Sequence, residues 1–204
     1  MKRTLAVVSA GLRLPSSTRL LADRLADAAR HELEQLGAQV DVDIIEVRDH
    51  AHDLVNHSLV GYPSPELGSV FETVARADGL IAVTPTFTAS YSWLFKAFFD
   101  NLDDTALVDK PVLIAATGGT GRHSLILEHA LRPMFSYLRA ATVSTGVFAG
   151  PEDWGGGDPT QGSLASRIAR AARELAGEVD RRDAPAVDDP YDNPTPFDRM
   201  LRGD

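Results

Sequence analysis

Apolar positions along the chain fall into two rhythms that alternate five times. Residues 4–8 form a short β-rich apolar run ending at Ser9, Ala10 and Gly11, the pattern of a buried strand. From residue 19 to 36 the spacing changes. Leu20, Leu21, Leu25, Ala28, Ala29, Leu33 and Leu36 recur every three or four positions, which predicts an amphipathic helix. Ser17 or Thr18 suits its N-cap, and Gly37 stands where a helix stop belongs. Alternation over 40–47 predicts a second strand. Residues 48–65, rich in His, Asn, Pro and Gly, read as a long loop. Beyond them the pattern predicts a helix over 65–77, a strand over 79–84, a loop at 85–90 and a helix over 91–102. A strand over 111–116 follows, then a helix over 124–138 that Pro133 should kink, and a strand over 141–148. A Gly-rich loop at 155–162 leads to a last helix over 164–179.

Strands that alternate with helices in this way require a parallel sheet with helices on both faces. The expected architecture is a three-layer α/β/α sandwich on a five-stranded parallel sheet. Its crossovers should be right-handed and its expected strand order is 2-1-3-4-5. Residues 1–182 are read as one domain. Residues 183–204 differ: they hold four prolines and several aspartates, yet also Tyr191, Phe197, Met200 and Leu201. They read as a tail, either disordered or docking its aromatic residues on a neighbouring subunit.

Charge and composition narrow the partners. The net charge of −9 over 204 residues makes nucleic acid an unlikely partner, because an acidic surface repels phosphate backbones. The chain has no cysteine, which excludes disulfides, thiolate catalysis and Cys-ligated metals. No apolar run approaches the length of a membrane span or a signal-peptide core, so a cytoplasmic location is expected.

In sheets of this kind ligands bind beyond the carboxyl ends of the strands, where the strand order reverses. Three loops should line that crevice, and all are rich in Ser, Thr and Gly. The first carries Ser9, Gly11, Arg13, Ser16, Ser17 and Thr18 and opens a helix. Hydroxyls and backbone N–H groups at a helix N-terminus suit a phosphate, and Arg13 adds charge; alternatively Ser17 or Thr18 only caps the helix. It lacks the Gly-Lys-Ser/Thr ending of a Walker loop and is not Gly-x-Gly-x-x-Gly. The second loop carries Pro85, Thr86, Phe87, Thr88 and Ser90, with Phe87 placed to lie against a flat ring or to plug the core edge. The third carries Thr117, Gly118, Gly119 and Thr120, where paired glycines allow a backbone to approach a ligand or simply make a tight turn. His123 and Lys96 read as surface residues. His50, His52 and His57 have no supporting carboxylates, so no metal site is expected.

Taken together, residues 9–18, 84–91 with Leu94 and Lys96, and 116–120 with His123 and 131–133 resemble the NADPH-dependent FMN reductases of the flavodoxin-like superfamily. The likeness extends over residues 3–182 and is greatest to reductases that supply reduced flavin to two-component, luciferase-like monooxygenases. The resemblance implies that Ser9, Arg13, Ser16, Ser17 and Thr18 hold the FMN phosphate. It implies that Pro85, Thr86, Phe87, Thr88 and Ser90 flank the flavin, and that Thr117, Gly118, Gly119 and Thr120 contact its ring. It further implies a homodimer or homotetramer. Two positions depart from such relatives: Trp93 stands where a small residue is common, and Phe87 where tyrosine is common.

No acid, base or nucleophile constellation is evident, and flavin chemistry needs none. The expected reaction is hydride transfer from the nicotinamide of NADPH or NADH to FMN, with the rings stacked at about 3–3.5 Å. Reduced flavin would then serve a partner monooxygenase. Alternatives are a quinone or azo-dye reductase with tightly bound FMN, a flavodoxin-type electron carrier without enzyme activity, and a flavin-free interaction protein. A phosphoacceptor receiver is excluded, because Ser9 and Thr84–Pro85 stand where its aspartates would be.

Overall fold

The computed structural model describes residues 1–155 and 162–182. The Gly-rich loop expected at 155–162 falls largely outside the described residues, and the tail 183–204 falls outside them entirely.

Alternation of side chains along the strands builds two cores. In β1 (Lys2–Ser9), Leu5 and Val7 face one way and Ala6 and Val8 the other, and all four are fully buried. In β3 (Gly79–Phe87) and β5 (Pro111–Thr117) the same division recurs: Ile81, Val83, Leu113 and Ala115 lie on one side, and Leu80, Ala82, Val112 and Ile114 on the other. Burial on both faces explains why these strands read as continuous apolar runs. The first face packs against α1 (Ser17–Gln35) and α6 (Leu164–Asp180). The second packs against α2 (Ala51–Val60), α3 (Pro65–Arg76), α4 (Trp93–Asp100) and α5 (Arg132–Tyr137).

The principal strands are parallel in the order β2-β1-β3-β5-β6, with β2 spanning Gln39–Glu46. This is the 2-1-3-4-5 arrangement, so β1 and β3 flank the point where the order reverses. Among the described residues seven strands form the sheet rather than the expected five. The predicted fifth strand is split into β6 (Ala141–Thr142) and β7 (Val147–Ala149), both paired with β5. Between them Glu174 of α6 accepts hydrogen bonds from the Thr145 N–H and hydroxyl, at 2.7 and 2.6 Å, so the backbone turns to a side chain instead of the ladder. The other addition is β4 (Ser90–Tyr91), which folds back antiparallel on Thr86 and Phe87. The region predicted as a loop at 85–90 is therefore a hairpin, and the following helix starts at Trp93, capped by the Ser92 hydroxyl.

Two further differences have local causes. Residues 48–65 are largely helical, not a loop: α2 follows a short 3-10 turn and stops at Gly61, whose φ is +84°. Val47, Ala51 and Leu54 supply its inward positions at helical spacing, a signal masked by the polar residues around them. The predicted helix 124–138 is a single π turn (Leu127–Leu131) followed by α5. Pro133 has no N–H, and its ring would collide with the carbonyl four residues back, so the preceding turn widens. Gly37, with φ +87°, ends α1 as predicted. No described helix is long and apolar enough to cross a membrane.

Candidate active site

The carboxyl edges of β1, β3 and β5 open into a cavity of about 670 Å³, within the range of roughly 300–1,000 Å³ usual for small-molecule sites. All three loops singled out in the sequence reach it. From the first come Gly11, Arg13, Ser16, Ser17 and Thr18; from the second Pro85, Thr86 and Phe87; from the third Thr117, Gly118 and Gly119.

The first loop delivers the N-terminus of α1 to the cavity. Ser16, not Ser17 or Thr18, is the N-cap: its Oγ accepts the Arg19 N–H at 3.1 Å. Its hydroxyl proton remains available for donation. The N–H groups at the start of a helix have no intrahelical acceptor and carry the positive end of the helix dipole. Arg13 is exposed at the cavity and makes no ion pair among the described residues. Arg19, by contrast, is held by Asp23 at 2.7 Å and by Glu46, so its charge is spent locally. Thr18 is buried and shares a 2.9 Å hydrogen bond with the hydroxyl of Thr117, tying the first loop to the third.

Phe87 presents an exposed ring on the hairpin at the cavity wall. Gly119 borders the cavity with open space where a Cβ would project, so its backbone is bare to a ligand. Gly118 is constrained differently: a Cβ there would lie 2.8 Å from the Phe148 ring.

Other predicted residues stand outside the lining. Ser9 ends β1 and is buried, Thr88 occupies the exposed hairpin tip, and Ser90 lies on β4 beside a second cavity between α4 and α5. Thr120 uses its hydroxyl to cap the short turn Gly121–His123. Trp93 is 57% exposed at the start of α4 and does not border the first cavity. Lys96 pairs with Asp100, and His57 packs edge-on against Phe71, 5.9 Å between ring centres. Two described lining residues lie outside all three loops and went unforeseen, Pro151 and Trp154. They sit just past β7, where an isolated Pro and Trp beside a Gly-rich stretch carry no periodic signal.

The fit of a phosphorylated flat ligand can be judged from the polar atoms. Only four buried side-chain nitrogen or oxygen atoms among the described residues lack a partner, and two, Ser9 Oγ and Thr86 Oγ1, lie at this edge. Buried hydroxyls without a partner are costly, and these two stand at the carboxyl edge that the cavity opens from. An anion-accepting helix end, a free arginine, an aromatic face and a bare glycine backbone complete a donor set that fits FMN.

Residues 3–155 match the family of NADPH-dependent FMN reductases. The chain belongs to this family. It is 37% identical over 171 residues to an FMN reductase (NADPH) of Pseudomonas aeruginosa, covering 83% of this chain and 88% of that one. It is 38% identical over 181 residues to the NADH-dependent FMN reductase SfnF of Pseudomonas fluorescens, covering 86% and 92%. An oxidoreductase from Corynebacterium diphtheriae superimposes with a TM-score of 0.85 at 44% identity, over 89% of this chain and 99% of that one. The apo form of the NADH:FMN oxidoreductase EmoB superimposes with a TM-score of 0.72 at 28% identity, covering 85% and 88%.

Proposed function

We propose that this FMN reductase family member reduces FMN with NADPH or NADH in the cavity at the β1/β3 switch point. The observation that carries the reading is the pair of partnerless hydroxyls, Ser9 and Thr86, at the edge where α1 offers its N-terminus and Arg13 its free charge. Ser16, Ser17, Thr18 and Arg13 hold the phosphate, by hydroxyls, helix-end N–H groups and one guanidinium. Pro85, Thr86 and Phe87 border one side of the ring, and Thr117, Gly118 and Gly119 the other. Ser9 acts from beneath as a hydroxyl donor. Thr88, Ser90 and Thr120 support the loops that carry these contacts. FMN bound there would supply the redox chemistry, as the acceptor of hydride from the nicotinamide. The protein contributes position and a partly enclosed surface.

The family's relatives are named for both NADPH and NADH, so either donor is compatible with this kinship. Among the described residues the site offers neutral hydroxyls and one arginine without an ion pair, a set that suits a flavin that exchanges rather than one held permanently. That supports a role in delivering reduced flavin to a partner monooxygenase. We further propose that the protein is a cytoplasmic homodimer or homotetramer built on residues 1–182.

The test is oxidation of NADPH and NADH by purified protein in air, with and without added FMN, after recording the visible spectrum. Strong stimulation by FMN with little flavin co-purified supports the exchanging reductase. A yellow protein that turns over only with a quinone or azo dye overturns it in favour of resident FMN. No FMN binding and no oxidation of either donor overturns the enzyme reading.

A further inference from the structure

Trp154 completes the cavity from a quarter that none of the three loops reaches. It follows a short 3-10 turn, Pro151–Asp153, and both Pro151 and Trp154 border the cavity. Three interactions fix this turn. The Asp153 carboxylate accepts the Gly150 N–H at 2.8 Å. Arg167 of α6 pairs with Asp153, and the same guanidinium donates to the carbonyl of Phe148 in β7. The indole itself is also held. It packs on the core shared by α1 and α6, and the Arg24 guanidinium of α1 lies 5.3 Å from the ring centre, a cation–π contact.

An aromatic residue clamped in this way has little rotamer freedom left to lose when a ligand arrives, so its contact area is available at low entropic cost. Its indole N–H donates no hydrogen bond to another described residue. The wall it forms therefore combines a flat apolar face with one N–H donor. An aromatic ligand with hydrogen-bond acceptors matches that combination.

We propose that Trp154 is an FMN-binding residue of this chain. The proposal rests on the reading of the cavity as the FMN site and adds a fourth wall to it, outside the Ser/Thr/Gly loops. Arg24 serves the site through Trp154, by its cation–π contact with the indole.

The chain holds two tryptophans, Trp93 and Trp154, and so two indole N–H signals in a ¹⁵N-correlated NMR spectrum. Trp93→Phe assigns them. Titrating the wild-type protein with FMN should move or broaden the Trp154 signal far more than that of Trp93. In parallel, Trp154→Ala should raise the FMN dissociation constant roughly tenfold, and Trp154→Phe should stay within about threefold of wild type, because the ring is kept. The NMR titration needs no variant at Trp154, so it decides the matter even if Trp154→Ala folds poorly. FMN binding that leaves the Trp154 signal in place and the Trp154→Ala affinity unchanged would overturn the proposal while sparing the reductase reading. Wild-type protein that binds no FMN at all would overturn both.

Discussion

Single residues at the cavity carry constraints that composition alone does not reveal. A Cβ on Gly11 would lie 2.2 Å from Ser16 Oγ, the atom that caps α1. Gly11→Ala must therefore push the cap aside, at a cost of about 1 kcal/mol. It should lower the denaturation midpoint in urea and weaken FMN binding together, because the same serine borders the cavity. Gly119→Ala makes a sharp contrast. Nothing lies within 4 Å of its added Cβ, so unfolding should be unchanged while FMN affinity falls. The first and third loops were legible as lining the cavity because Ser, Thr and Gly concentrate there at strand ends. The roles within them were not legible. That Ser16 rather than Ser17 caps α1, and that Thr18 bonds Thr117, depends on backbone positions 99 residues apart in the second case.

At the scale of elements, the hairpin of β3 and β4 stands out. Thr88 and Ala89 form its two-residue tip with φ of +49° and +62°. Such a turn needs positive φ at both central positions, which glycine or asparagine tolerates and a β-branched residue resists. Ala89→Gly should relieve part of this strain, raising stability by about 0.5–1 kcal/mol and the melting temperature by roughly 2–4 °C. Thermal unfolding followed by circular dichroism measures it. A strained tip costs free energy that the pairing of Thr86 with Tyr91 and Phe87 with Ser90 must offset, and the same pairing places Phe87 at the cavity. This element was hidden in the sequence because Thr88–Ala89 is not a recognisable hairpin turn. The split of the last strand was hidden for a related reason: it is Glu174, 29 residues away, that captures Thr145.

Across the whole molecule, the amino edge of the sheet is tied as firmly as the carboxyl edge is open. The buried Arg3 guanidinium pairs with Asp78 at 3.2 Å and donates to the carbonyls of Asp180 and Arg182, joining β1, the entry to β3 and the end of α6. Beside it Lys110 is buried and donates to the carbonyls of Ala75 and Ala77. Burial pushes its pKa down to about 8, opposed by Asp78 and reinforced by Arg182. The unfolded chain, with the ordinary value of 10.5, thus binds more protons between pH 8 and 10.5 than the folded one. Stability from this residue must rise with pH through that window and be flat below it. The difference in unfolding free energy between wild type and Lys110→Met should accordingly grow in favour of wild type by up to about 3 kcal/mol from pH 8 to 10.5, read by urea denaturation at each pH. A difference independent of pH would rule out a buried, depressed lysine. The sequence by itself determined the layered α/β architecture and the family; it favoured, without fixing, the strand order 2-1-3-4-5, and it marked three loops that the structure brings to one cavity. Continuous apolar runs follow from strands buried on both faces and the 3.6 period from helices buried on one, and the switch point follows from the order. Tertiary structure alone decided which hydroxyls are spent on caps and which lack partners, where the hairpin turns, and that Trp154 on its Arg24 support faces the same cavity. Those outcomes depend on contacts between segments far apart in the chain, and no local pattern records them.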